Sequence, residues 1–349
     1  MKKFLFVAVF LIISAFIFAG GKTDNQKGTG TGTAGTGKAA AASLFPATPI
    51  DVGGGSMGGS GTIAAGAWIE RIKQIHPDAK FNLVPGGTNP NILKLEAGDL
   101  DIIFATTSFM QKANQGTPFV PELTKPIPQL LAVTNIWDQY FTWTVRKEFP
   151  AKTIDDVIRN KMKIRFNPGG PKGNTGVVAM EEYLKVVYGL TFADMEAWGC
   201  KIVYAEFNDA CQMIQDGQLD MFSPLTAAPA AAIMELTNTT PVKFLTIEQS
   251  SIDKLRPLGY VETMMSKTLY KGMTEDVKTL SLPYGIGVDA KLSTDLVYEL
   301  TKILCENEQY FKQSVGPMEF FNPQKAVTEM GFPLHPGAEK YFKEKGWLK

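Results

Sequence analysis

Residues 47–62 read ATPIDVGGGSMGGSGT, a short apolar strand that runs into closely spaced glycines and serines before Thr62 opens an amphipathic helix. Such a loop presents main-chain N–H groups at a helix N-terminus. The first amides there have no intrahelical acceptor, and the helix dipole favours an anion. With no Cβ in the way, a carboxylate or phosphate can approach the backbone closely. A second glycine-rich turn, Asn167–Gly173, precedes a helix expected from Thr175. Small hydroxyl and amide side chains gather at the ends of the expected strands. They are Ser56 and Ser60 on the first loop, Thr88 and Asn91 on the next, and Thr106, Thr107 and Ser108 after the third strand. Asn174, Thr175, Asn208 and Thr226 take similar places in the later part of the chain. Any one of them serves equally well as a helix cap or turn former. In open α/β sheets, however, ligands sit just outside the carboxyl ends of strands. The recurrence of these side chains there points to neutral donors that hold a small anion reversibly.

Other chemistries find little support. Gly53, Gly55 and Gly58 fit the dinucleotide spacing G-x-G-x-x-G, but that site needs an acid at the end of the second strand to hold a ribose hydroxyl. That strand ends Leu83-Val84-Pro85-Gly86. No lysine follows the glycines as a phosphate-binding loop requires. The two histidines, His76 and His335, stand near no G-x-S-x-G turn or cysteine signature. His76 precedes Pro77 at a helix end, where an imidazole caps carbonyls. Metal-ligand spacing is absent, and no carboxylate pair stands out among the acids on helix faces. The chain is therefore expected to have no catalytic residue, metal or cofactor. Arg165, on the strand before the second glycine-rich turn, could hold a carboxylate bidentately or form an ion pair at the surface or between lobes.

These groups need a scaffold of alternating strands and helices. Ile50–Val52, Phe81–Val84 and Asp101–Ala105 read as strands, separated by helices Thr62–Ile75 and Thr88–Ala97. Strand–helix–strand units of this length imply a parallel sheet with right-handed crossovers. The pattern recurs with strands at Met162–Phe166, Lys201–Tyr204 and Asp220–Ser223, around helices Thr175–Tyr188 and Asp209–Asp216. Two α/β lobes are expected, 44–140 with 285–349 and 141–284. Each would be a parallel-type sheet flanked by helices. Phe141–Val145 and Leu280–Val288 are the extended pieces expected to join them as hinge strands.

Met1–Ala19 has the form of a secretory signal, with Lys2 and Lys3 ahead of an apolar run to Phe18. Gly20 and Gly21 stand where a lipoprotein would carry cysteine, so the segment is either cleaved or kept as an anchor. Residues 20–43 have no bulky apolar side chain and read as a flexible Gly/Thr/Ala linker, with a reach of about 25–30 Å. The location expected is periplasmic or otherwise extracytoplasmic, with a membrane tether as an option. Residues 44–349 exceed what one hydrophobic core usually supports. The 35 basic and 35 acidic residues balance, and no basic stripe exists to bind nucleic acid. Cys200 and Cys211 could bridge in an oxidising compartment, but three buried thiols, with Cys305, are the simpler reading.

From about Pro49 to Gly346 the chain resembles the substrate-binding proteins of tripartite ATP-independent periplasmic (TRAP) transporters, specifically the TAXI subfamily. The stretches that carry the resemblance are the glycine-rich start, GGTNPNILKLEAGDLDIIFATTS, the later GGPKGNTG, the terminus FPLHPGAEKYFKEKG, and Leu296, Tyr298 and Leu300 in STDLVYELTK. The resemblance implies a type II periplasmic-binding-protein fold whose two lobes close on glutamate or another small carboxylate. The ligand would then pass to a TRAP membrane permease, of separate or fused type, with no catalysis. The receptor is expected to be a monomer. Carried over residue by residue, the ligand contacts would be Met57, Gly58, Ser60 and Thr62, then Thr88 and Asn91, then Thr106, Thr107, Asn174 and Thr175. Where the family continues its first loop with Thr-Tyr-Tyr-Pro, this chain has Ser60-Gly61-Thr62-Ile63. Both tyrosines are lost, leaving Phe109, Trp137, Tyr140, Phe207 or Tyr284 as candidate aromatic walls for an ammonium. A receptor that presents its ligand to a membrane sensor, and an enzyme that uses the cleft, are the alternative readings.

Overall fold

Strand and helix signals resolve into two sheets in the computed structural model, which describes residues 44–55, 59–327 and 330–348. The expected signal and linker, and the candidate contacts Ser56, Met57 and Gly58, lie outside the described residues. β1 (Ile50–Gly53) pairs in parallel with both β2 (Phe81–Val84) and β3 (Ile102–Thr106). Between them run α1 (Ser60–Ile75) and α2 (Thr88–Ala97), and α3 (Thr107–Gln115) follows β3. In α1 the buried residues Ala64, Ala65, Trp68, Ile69 and Ile72 form one stripe at helical spacing, and the helix stops just before Pro77. α2 and α3 end at Gly98 and Gly116, both left-handed, a conformation only glycine adopts without strain.

The chain then enters β4 (Leu130–Phe141), breaks at Thr142 and Trp143, and continues as β5 (Thr144–Arg146) in the second sheet. There follow α4 (Ile154–Arg159), β6 (Arg165–Asn167), α5 (Thr175–Tyr188), α6 (Phe192–Ala197), β7 (Lys201–Ile202), α7 (Phe207–Gln215) and β8 (Met221–Phe222). β9 (Leu225–Ala227) returns to the edge of the first sheet beside β4. After α8 (Ala231–Thr239), β10 (Val242–Phe244) and α9 (Gln249–Leu255), β11 (Val261–Met265) and β12 (Val277–Asp289) again belong to the first sheet. α10 (Thr294–Glu306), α11 (Glu308–Ser314), α12 (Pro323–Ala326) and α13 (Pro336–Glu344) complete the chain.

The first sheet has the order β2-β1-β3-β12-β4-β9 with β11 on β12, and the second has the order β10-β5-β8-β6-β7. Each combines a parallel part (β2-β1-β3 and β7-β6-β8) with antiparallel strands. The result is a mixed α/β architecture of two lobes, each a sheet with its helices. The expected strand 280–288 lies within β12, in the first sheet along its whole length, so the chain passes between sheets at 142–143, at 223–224, and again on either side of β10.

Two apolar cores hold this frame. One packs Ile50, Val52, Trp68 and Phe104 against Val297, Leu300 and Phe342 from the C-terminal helices. The other is continuous between the sheets, from Ile92 and Phe109 through Phe141 and Trp143 to Phe166 and Tyr183. Phe141 and Trp143 stack with ring centroids 5.2 Å apart at the crossing itself. Truncating a fully buried aromatic such as Trp143 costs about 3–5 kcal/mol.

Candidate functional site

A narrow cavity of about 40 Å³ lies where the two sheets face each other. At roughly 10–15 Å³ per water-sized centre, it has room for about three or four. Four helix N-termini reach it. Ser60 and Gly61 open α1, Thr88 opens α2, Thr175 opens α5 and Phe207 opens α7, and all five residues line the cavity. α1, α2 and α7 have no side-chain cap hydrogen bond at these ends among the described residues. Only in α5 does a side chain cap the end, with Asn174 Oδ1 accepting from Gly176 N at 3.0 Å. The first-turn amides of these helices, with about half a positive charge per helix end, therefore face one small space.

The strands that wall the cavity belong to the first sheet. Gln139 and Trp137 lie two apart on β4 and so leave the strand on one face, and Thr226 and its neighbours lie on β9, paired beside β4. Tyr284 on β12 stacks on Trp137 with centroids 5.1 Å apart and planes 17° apart. The pairing of β12 with β4 shifts register between Tyr284, the residue after Pro283, and Gly285, and such a shift re-aims a side chain. The Tyr284 hydroxyl reaches so near α1 that a Cβ at position 61 would stand 2.4 Å from it, which explains Gly61. Burial raises the Tyr284 phenol well above its usual range, so it works as a neutral hydroxyl. The Trp137 indole Nε1 is buried and has no protein acceptor.

Among the described residues no charged side chain lines the cavity. Asp138 points from the opposite strand face into a separate groove with Tyr140 and Phe320, where burial raises its carboxyl above the ordinary range. Glu206, just before α7, is exposed.

The expected residues divide. Ser60, Thr88, Asn174, Thr175 and Thr226 come together on the cavity wall. Thr106, fully buried, stands behind Thr88 and Gln139. Thr62 donates to Gly55 O at 2.6 Å and ties the first loop to its own helix. Asn91, also fully buried, donates to Gly54 O at 2.7 Å and to Phe104 O at 3.2 Å, stitching that loop to β3. Thr107 donates to Asn135 Oδ1 at 2.6 Å, and Ser108 sits in the first turn of α3 beside Gly259. Asn208 faces a different groove, with Cys211 and Gln212.

Among the aromatic candidates, Trp137, Phe207 and Tyr284 line the cavity, Tyr140 lines the groove beside it, and Phe109 is buried in the core. Gln139 was not among the expected contacts. Its signal in the sequence is only its place two residues from Trp137 on an extended run.

The remaining reactive groups are engaged elsewhere. Arg165 pairs with Asp220, its Nε 2.9 Å from Oδ2. His76 closes α1 with Nε2 3.1 Å from Glu299, so its ring meets a carboxylate rather than the carbonyls expected. His335 caps α13. Its Nδ1 accepts from Gly337 N at 3.1 Å and its Nε2 lies 3.0 Å from Leu292 O, an arrangement that fits the neutral tautomer with the proton on Nε2. Burial lowers the pKa of that ring below the ordinary histidine value. Cys200, Cys211 and Cys305 are free and buried.

A direct hydrogen bond joins the first turn of α2 to the second glycine-rich turn. Asn89 in α2 donates to Gly173 O at 3.1 Å. Away from the cleft, Lys112 in α3 meets Glu182 in α5 at 2.7 Å, and Glu182 also accepts from Tyr260 at 3.0 Å.

Among solved structures the chain is similar to one described as a periplasmic transporter, with 16% identity, a TM-score of 0.49, and 87% of this chain and 99% of that one covered. It is also similar to a putative L-cystine ABC transporter from Listeria monocytogenes (12% identity, TM-score 0.45, 79% and 99% covered). A third likeness is to the periplasmic aliphatic sulphonate binding protein of Escherichia coli (13%, 0.40, 79% and 80%). In sequence, residues 55–346 match the NMT1-like family, a span that contains the second glycine-rich turn, the first from Gly55 onward and every cavity-lining residue, and the chain belongs to that family.

Proposed function

We propose that the chain is an extracytoplasmic solute receptor of a TAXI-type TRAP transporter. It takes a small carboxylate into the cleft between its sheets and delivers it to a membrane permease. The observation that carries this reading is the convergence of four helix N-termini, from the helices of both sheets, on one cavity that no charged side chain lines among the described residues. Main-chain amides and neutral hydroxyls stabilise an anion without burying a countercharge, so release stays easy. A ligand that touches Ser60 and Thr88 on one side and Thr175 on the other bridges the lobes. It therefore binds the closed state more tightly and shifts the population towards it.

The same placement weighs against an enzyme. The hydroxyls of Ser60, Thr88, Thr175 and Thr226 have no imidazole or carboxylate beside them in the cavity to act as base. The resemblance of the first glycine-rich loop and of the terminus FPLHPGAEKYFKEKG supports the transporter class. Export follows from the signal-like Met1–Ala19, and among the described residues no helix is long and apolar enough to cross a membrane. Calorimetry against a panel of small amino and organic acids, followed by solution scattering with each binder, tests the reading. Saturable heat with compaction of the protein is expected. No heat from any acid, with unchanged scattering, would overturn it.

A further inference from the structure

We infer that Gln139 is the ligand-selecting residue of the cleft and that it restricts the site to short monocarboxylates without an ammonium group. This rests on the receptor reading above and narrows it. The Gln139 amide oxygen accepts from the Thr106 hydroxyl at 2.7 Å. The Thr106 hydroxyl accepts in turn from the Thr88 hydroxyl at 3.2 Å, and the Thr88 oxygen accepts from the Thr106 N–H at 3.0 Å. Each hydroxyl has one proton, so the relay runs in a single direction and ends on the amide oxygen. The reverse order would leave the Thr88 proton without a protein acceptor in a residue only 1% exposed. With its oxygen engaged, Gln139 has its NH2 end left to donate, beside the amides of α1 and α2.

The helix-end amides and the Gln139 NH2 of this wall thus favour negative charge, and among the described residues no carboxylate lines it to hold a cation. An α-amino acid would bring an ammonium into a cavity lined by no carboxylate, and burying an unpaired ammonium is costly. The nearby acids do not help, since Asp138 faces the other groove and Glu206 is exposed. Trp137 and Tyr284 turn one aromatic face each towards the other rather than towards a ligand. The cavity of about 40 Å³ also suits an acid of a few heavy atoms better than glutamate.

Calorimetry with propionate, alanine, glutamate and propionamide tests this on the full chain and on Gln139→Glu. The wild type is expected to bind propionate at least 100-fold more tightly than alanine, glutamate or the neutral amide. Gln139→Glu puts an anion where the NH2 was, so the propionate-to-propionamide ratio should fall at least 100-fold. Should that variant fail to fold by circular dichroism, Gln139→Met replaces it, with the ratio expected to fall at least 10-fold. Thr106→Val removes the anchor of the amide, and the same ratio should drop about five-fold while the fold is kept. A purely structural Thr106 would leave the ratio unchanged. Gln139 variants that keep the wild-type ratio would overturn the inference. So would wild-type protein that binds glutamate or alanine as tightly as propionate, a result that leaves the receptor reading standing. If no acid binds, the receptor reading itself fails.

Discussion

Two clusters of buried polar groups in this chain resemble each other in composition and differ in what they leave open. In the second lobe the Asp155 carboxylate, fully buried, accepts from the Tyr183 hydroxyl at 3.1 Å, the Tyr188 hydroxyl at 2.6 Å and the Glu248 N–H at 2.8 Å, and from Ser251 as well. A charge is present there and donors surround it. In the cleft the donors are present and the charge is not. Ser60, Thr88, Thr175, Gln139 and the helix-end amides surround a space instead of a carboxylate. The first cluster is a finished structural joint. The second has the same chemistry with its anion left to come from outside. Buried polar groups therefore report function through what they lack, because native interiors otherwise pair almost all of them.

Substitutions that treat the clusters alike should separate them. Asp155→Ala is expected to give the largest effect, about 3 kcal/mol of stability in denaturant unfolding, because orphaned buried donors cost about 1–3 kcal/mol each. Ligand selectivity should be unchanged in the folded fraction. A loss under 1 kcal/mol would mean that the joint tolerates being emptied, and the contrast with the cleft would dissolve. Ser60→Leu and Thr175→Leu should do the opposite, weakening carboxylate binding at least 100-fold in calorimetry with little change in unfolding midpoint. Wild-type affinity in both would remove these residues from the site.

Asn89→Ala deletes the direct hydrogen bond from α2 to the second glycine-rich turn, worth about 0.5–1.5 kcal/mol. Affinity should fall about two- to ten-fold, and scattering of the unliganded protein should show a more open average. An unchanged profile would assign closure to the ligand alone. The smallest effect concerns pH. The His335 pKa is lowered in the folded state, so the unfolded chain takes up the proton first as pH falls. Stability from this residue is intact above the ordinary histidine value of about 6.5 and declines below it. Carboxylate binding should not follow the same curve, since His335 is remote from the cavity wall. His335→Gln should flatten the stability profile below about pH 6.5, and an unaltered profile would reject the assignment.

Much of the frame was legible in the residues themselves. α2 spans the expected Thr88–Ala97, and α5 spans Thr175–Tyr188, because the Asn174 cap and the Gly98 and Gly189 stops are local signals. Gln139 was not legible, since its role depends on β12 inserting between β3 and β4, and the Thr106 that orients it is 33 residues away. The return of β9 to the first sheet was hidden for the same reason: three residues carry no periodicity, and only pairing with β4 defines them. Asn91 shows the converse limit. A short amide at a strand end reads the same in sequence whether it serves a ligand or, as here, the carbonyls of Gly54 and Phe104.

The most direct test of the central claim is an NMR titration with propionate, following the backbone amides and the glutamine side-chain NH2 groups. The account expects the amides of Ser60, Gly61, Thr88 and Thr175 and the NH2 of Gln139 to move together, saturably and at one affinity. Shifts confined to one sheet, or absent from these groups while others move, would contradict it.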